Sequence, residues 1–245
     1  DLRTLQLLFN VVRTSSLKST YWIMLESSRW SRMANKVMCG NLAKTEGVPQ
    51  AVGATRHFCS RPRLDVDTLG HNALSRLLDT DLLPIETRSA YERIARKLLQ
   101  AVEARLQALA PRKNIRLHGD CHPGNILWRD GPTFVDLDDC RMGPAIQDLW
   151  MMLSGDRQQQ LLQLDTLVEA YEEFHSFDTA QLPLIEPLRA MRMVHYMAWL
   201  SRRWEDPAFP RAFPWFAEDK YWEGQILALK EQLSALQEPP LKLGY

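Results

Sequence analysis

Apolar positions fall at helical spacing through most of the chain after residue 60 and at no sustained spacing before it. Leu69, Ala73, Leu77 and Leu78 share one helical face behind an acidic N-cap candidate in "DVDTLG". "PIETRSAYERIARKLLQAVEARLQALAPRK" predicts a long amphipathic helix. Tyr91, Ile94, Leu98, Ala101, Val102 and Leu106 form its stripe, Pro84 suits its first turn and Pro111 ends it. The period then changes. "NIRLHGD", "NILW" and "TFVDL" are short apolar runs punctuated by Gly and Pro, which are strand and loop signals. After Asp148 helical spacing returns at Leu161, Leu162, Leu167, Val168, Ala170 and Tyr171. "LIEPLRAMRMVHYMAWLSRRW" is apolar nearly all round and predicts a buried helix. "EDPAFPRAFPWF" reads as a loop, a last amphipathic helix follows over about 218–237, and the prolines of "EPPLKLGY" bar helix at the tail.

Residues 1–60 offer only two short helix candidates, in 3–12 and around 28–38. The domain reading is therefore an irregular leader over 1–60 and a folded region over 61–245. The chain opens on Asp rather than Met, which is expected of a processed or incomplete chain. Lys plus Arg and Asp plus Glu balance at 30 each, so no net charge draws the surface to nucleic acid or to a membrane. No apolar run approaches the roughly 18 residues of a membrane span. "LQLLFNVV" is short and lacks a basic leader, so no signal peptide is read there. Cys39, Cys59, Cys121 and Cys140 show neither a CxxC pair nor zinc spacing, and are read as thiols in a reducing cytoplasm.

The chemistry concentrates between Arg116 and Asp139, "RLHGDCHPGNILWRDGPTFVDLDD", where five Asp residues stand beside few cations. Asp130-Gly131 between two apolar runs is a two-residue hairpin signal. A turn centred there sets Asn125 directly opposite Asp136 on one face, with roughly 5 Å between their Cβ atoms. An amide oxygen and a carboxylate at that spacing suit Mg²⁺, which prefers oxygen ligands and few protein ones. The bend at Pro123-Gly124 lets Asp120 point into the same cleft off the metal, where a carboxylate can take a proton from an attacking hydroxyl. H-x-D-x-x-x-x-N, then an Asp eleven residues on, matches a kinase catalytic loop and its metal-binding Asp.

"HGDCHPGNIL" followed by "FVDLDD" resembles the aminoglycoside phosphotransferase and choline kinase family, which writes H-G-D where protein kinases write H-R-D. "LWRDGPTFVDLDDCRMGPAIQDLWM", "LIEPLRAMRMVHYMAWLSRRW" and "DPAFPRAFPWF" resemble a bacterial serine/threonine kinase branch of it, over roughly residues 61–245. The resemblance implies an α+β, predominantly helical, protein-kinase-like C-terminal lobe with a small catalytic β-hairpin. It implies Asp120 as catalytic base and Asn125 and Asp136 as the residues that hold Mg²⁺ on the phosphates of ATP. His118 would pack under the loop, and Asp148 would be a buried acceptor of the loop's backbone N–H groups. It further implies a cytoplasmic monomer that meets ATP and a protein substrate, with neither nucleic acid nor membrane as partner.

The family's N-terminal lobe carries a loop over the phosphates and a strand Lys paired with a Glu. Gly40, Gly47 and Gly53 are too scattered for such a loop, and Lys18, Lys36 and Lys44 lack a strand setting. The expectation is a missing or degraded N-terminal lobe, from a truncated or frame-altered gene, and weakened activity. Two other functions stay open: a phosphotransferase acting on an aminoglycoside, choline or homoserine hydroxyl, and a binding module without catalysis. Asp138 and Asp139 are read as solvated or paired with Arg141, His122 as a loop residue shaping the cleft, and His195 as a core or groove residue. Arg202 and Arg203 either guide an acidic substrate or complement a helix C-terminus. Trp199, Trp204, Phe209, Phe213, Trp215 and Phe216 are read as packing.

Overall fold

The computed structural model describes residues 58–109, 113–128, 132–173 and 175–244. The two helix candidates in 1–60 and the Asp130-Gly131 turn lie outside the described residues. A π-type turn, Asp67–His71, runs into helix α1, Asn72–Leu78, and α2 spans Ile85–Gln107. Strands β1 (Ile115–Leu117), β2 (Ile126–Trp128), β3 (Pro132–Phe134) and β4 (Arg141–Gly143) follow. Helices α3 (Ile146–Trp150), α4 (Arg157–Glu172), α5 (Ile185–Arg202), α6 (Ala208–Ala212) and α7 (Asp219–Ala235) complete the order. The architecture is the mostly helical α+β class with the small β-hairpin that the resemblance implied, β2–β3, and a second two-stranded pairing, β1–β4.

The chain divides into two compact units. Of the described residues, those within 62–111 and 183–240 form a helical unit, and those within 58–61, 112–182 and 241–244 form the other. In the helical unit, Asp65 Oδ1 accepts from Thr68 N at 2.8 Å just before the π-type turn, whose own N-cap residue, Val66, makes no side-chain cap bond. The stripe of α2 is buried at Tyr91, Ile94, Leu98 and Val102, as the spacing requires, while Ala101 and Leu106 are half-buried. Helix α7 packs on α2, with Trp222 fully buried edge-on to Tyr91 at 5.1 Å between ring centroids. The indole N–H of Trp222 donates to Phe216 O at 2.8 Å, which satisfies the polar atom of a buried ring.

The segment "EDPAFPRAFPWF" is not a loop. It forms α6 and a 3₁₀ turn, Pro214–Ala217. Pro207 and Pro214 stand at the starts of these elements, where a missing N–H and a fixed φ cost nothing. The aromatics here pack on one another: Trp199 on Phe209 at 5.5 Å, Phe209 on Phe213 at 5.7 Å and Trp204 on Phe216 at 5.0 Å. Arg203 lies 4.2 Å over the Trp199 ring at the C-terminus of α5.

In the other unit, β1 pairs antiparallel with β4, setting Leu117 against Arg141, and β2 pairs with β3. Strand β4 has no counterpart in the sequence reading. Three residues around an Arg show no apolar period, and the pairing with β1 is made across some two dozen intervening residues. Helix α4 starts in a capping box, with Asp156 accepting from Gln159 N at 2.9 Å and Gln159 Oε1 accepting from Asp156 N at 2.8 Å.

Candidate active site

The loop after β1 is held from beneath by one carboxylate. Asp148, 3% exposed on α3, accepts from His118 N at 2.8 Å and from Gly119 N at 2.9 Å. This is the buried acceptor role that the resemblance implied. Burial raises its pKa to about 6, against the lowering effect of the two N–H bonds. The neighbouring Gln147, which the sequence reading passed over, is also buried and donates from Nε2 to Gly119 O at 3.3 Å. Its own Oε1 accepts from Trp150 Nε1 at 3.2 Å. "IQDLW" therefore sends two consecutive side chains into one loop. The signal available in the sequence was two polar residues inside an apolar helical run.

Gly119 has φ +85°, and a Cβ there would sit 2.1 Å from the Asp139 carbonyl oxygen. Only glycine fits this position. His118 is buried beneath the loop, as expected. Its Nε2 lies 3.0 Å from Val135 O, its Nδ1 accepts from Asp120 N at 3.4 Å, and its ring meets Phe134 edge-on at 6.3 Å. The Asp120 carboxylate and the His122 ring are 15% and 18% exposed. His122 Nδ1 accepts from Gly124 N at 3.0 Å, which turns its Nε2 toward Asp120 Oδ2 at 3.5 Å. The cleft-shaping residue of the sequence reading thus also faces the carboxylate it flanks.

Asn125 is buried and joins Asp120 directly. Its Nδ2 donates to Asp120 O at 2.9 Å and to Asp120 Oδ2 at 3.3 Å. With the amide nitrogen so engaged, the amide oxygen is left as an acceptor.

The register of the β2–β3 hairpin differs from the expectation by one residue. Trp128 pairs with Pro132, so three residues rather than two lie between the strands, and Val135 N donates to Asn125 O at 3.0 Å. Asn125 therefore stands opposite Val135, not Asp136. A one-residue slip would carry Asp136 to the other face of a regular strand. Instead the chain leaves the strand: Asp136 has φ 63° and ψ 63°, the one non-glycine residue with positive φ among the described residues. Asp is among the residues that tolerate this conformation, at a cost of about 1 kcal/mol. The Asp136 side chain is exposed and makes no hydrogen bond or ion pair among the described residues.

Asp136 offers a carboxylate with no hydrogen bond or ion pair among the described residues, and Asn125 an amide oxygen whose nitrogen is already bonded; both are donor types that suit a hard divalent cation. Asp139 does not belong to that set, because its carboxylate pairs with the buried Arg141, whose Nε also donates to Asp139 O at 2.8 Å. Asp138 is exposed, and its carbonyl accepts from Arg61 Nη1 at 2.8 Å. Burial, with Asp148 adding to it, pushes the Cys140 thiol pKa up, which disfavours a thiolate there.

A carboxylate held by an Asn five residues on, a His under the loop and a buried Asp anchoring it from the next helix define a kinase-like phosphotransferase fold. The phosphotransferase enzyme family model matches residues 38–185, more than half of the chain, and the protein belongs to that family. It is 51% identical over 191 residues to stress response kinase A of Escherichia coli (strain K12). It is 52% identical over 192 residues to serine/threonine protein kinase RdoA of Salmonella typhimurium. Each match covers 78% of this chain, and the chain spans 58% of the length of either relative. Among solved structures, a choline/ethanolamine kinase family protein from Mesorhizobium loti is similar with TM-score 0.52 and 17% identity, over 84% of this chain and 65% of that one. The AMP-bound complex of spectinomycin phosphotransferase is similar with TM-score 0.53 and 15% identity, over 86% and 67%. These two likenesses establish a shared fold.

Proposed function

We propose that the chain carries the catalytic loop of a serine/threonine protein kinase that transfers the γ-phosphoryl group of ATP to a protein hydroxyl. The observation that supports this most is the Asn125–Asp120 contact, which ties a proton acceptor to a metal-binding amide in one turn of chain. The names of the relatives support a protein substrate over a small alcohol.

Each residue then has a task. Asp120 accepts the proton of the attacking hydroxyl, and its Oδ2 is oriented by the Asn125 N–H and faces His122 Nε2. Asn125 and Asp136 would hold Mg²⁺, which supplies charge neutralisation on the phosphates. His118, Gln147 and Asp148 position the loop and do not touch substrate. The left-handed backbone at Asp136 directs its carboxylate out of the hairpin ladder and into solvent, where a ligand can reach it. The same reading makes the protein a cytoplasmic monomer whose partners are ATP and a polypeptide.

Radiolabelled ATP with Mg²⁺ and a generic protein substrate tests the reading, with choline, homoserine and an aminoglycoside as parallel acceptors. Asp120→Asn should lower transfer to protein by about 10²- to 10⁴-fold. Equal transfer by wild type and variant removes Asp120 from its role, and transfer only to a small alcohol replaces the protein substrate. Calorimetric titration with ATP and Mg²⁺ isolates binding. Loss of binding in Asp136→Asn supports its place on the metal, and no binding by the wild type reduces the chain to a non-catalytic module.

A further inference from the structure

Away from the catalytic loop, within the helical unit, we propose a second cation site, for a divalent transition metal of the Zn²⁺ class, formed by Asp67, His71 and Glu103. The ligand atoms of the three residues all lie within 4.8 Å of one another. His71 Nε2 and Glu103 Oε1 are 3.0 Å apart, close to the separation of about 3.4 Å that two ligands adopt around one tetrahedral zinc.

The backbone brings them together. Asp67 and His71 are the two ends of the π-type turn, in which Asn72 N donates to Asp67 O. This wide turn sets residues four apart on one side of the chain. Gly70 supplies the close approach to α2, since a Cβ there would lie 2.6 Å from Leu99 Cδ2. Glu103 is one helical turn beyond Leu99 on the same face of α2, and His71 is next to Gly70.

The charges are unbalanced without an ion. No Lys or Arg among the described residues forms an ion pair with Asp67 or Glu103, so two carboxylates share one neutral or singly charged imidazole. An exposed His–Glu pair alone accounts for little binding energy and leaves Asp67 unexplained. One imidazole among oxygen donors selects a borderline metal over Mg²⁺ or Ca²⁺. The side chains of His71 and Glu103 are 33% and 36% exposed, so an ion has access and keeps water on its open positions. Bound there, it clips the turn to α2.

The test is calorimetric titration of the chelator-treated full chain with Zn²⁺ in excess Mg²⁺, which occupies hard oxygen sites. Wild type should bind one equivalent that also raises Tm. His71→Ala and the isosteric Glu103→Gln should weaken that binding by at least about tenfold and abolish the Tm rise, while Asp136→Asn retains both. Co²⁺ in place of Zn²⁺ should give visible d–d bands without a thiolate charge-transfer band, which separates this site from one built on cysteines. Equal Zn²⁺ binding by wild type and His71→Ala, a thiolate band, or no binding by folded wild type would overturn the proposal.

Discussion

The two units reach order by different physics. In the helical unit, long apolar faces meet: the stripe of α2 is closed by α7, the buried Trp222 N–H and Gln232 amide are bonded, and the buried Tyr91 hydroxyl has no hydrogen-bond partner among the described residues. In the unit that bears the His118–Asn125 loop, strands of three residues are too short to hold by ladder bonds alone, and buried side chains bonded to backbone fix the loop instead. The first kind of order tolerates a change of apolar shape better than the loss of volume. The second tolerates neither a lost acceptor nor an added methyl group.

The contrast can be broken at its strongest point by Trp222→Ala. Removing a fully buried indole and its contacts with Tyr91 and Phe216 should cost about 4 kcal/mol in urea unfolding. A cost under about 1 kcal/mol would mean that α7 is not held by packing. Gly119→Ala probes the other kind of order. The added methyl meets the Asp139 carbonyl and the backbone has φ +85°, so a loss of about 3 kcal/mol is expected. On the proposed function, the lesion should also lower phosphotransfer in the fraction that remains folded.

Titration sharpens the comparison further, because burial raises the Asp148 pKa to about 6. A raised carboxyl pKa favours the protonated form in the fold. The associated stability is therefore full below the unfolded value near 3.8 and is lost as pH climbs through about 6. Relative to Asp148→Asn, which cannot titrate, wild type should lose roughly 2–3 kcal/mol between about pH 3.5 and pH 7 in urea unfolding. Parallel curves for the two proteins would show that Asp148 is as solvated in the fold as out of it. The smallest effect is expected at the start of α4, where Asp156→Ala removes one partner of the capping box and should cost about 1 kcal/mol.

This division explains what the sequence disclosed. Helical period marked α2, α4, α5 and α7 to within a few residues at most ends, because apolar burial writes itself into spacing. The grouping of Asp120 with Asn125 was legible from a five-residue separation around a Pro-Gly bend. The hairpin register was not. Asp130-Gly131 favours a two-residue turn locally, yet the pairing of Trp128 with Pro132 takes a third residue into the connection. Strand β4 and the part played by Gln147 were equally hidden, since each depends on a partner far along the chain rather than on a local period. The role of Asp148 was reached through family likeness, for the polar Gln147-Asp148 pair inside an apolar run marks the place without announcing two backbone donors.

The carbonyl of Asp139 occupies the volume where any side chain at position 119 would begin. The middle letter of His-Gly-Asp is therefore not interchangeable with the arginine that protein kinases place there. Grafting that arginine into this chain would demand a different path for the loop or for the segment after Asp136.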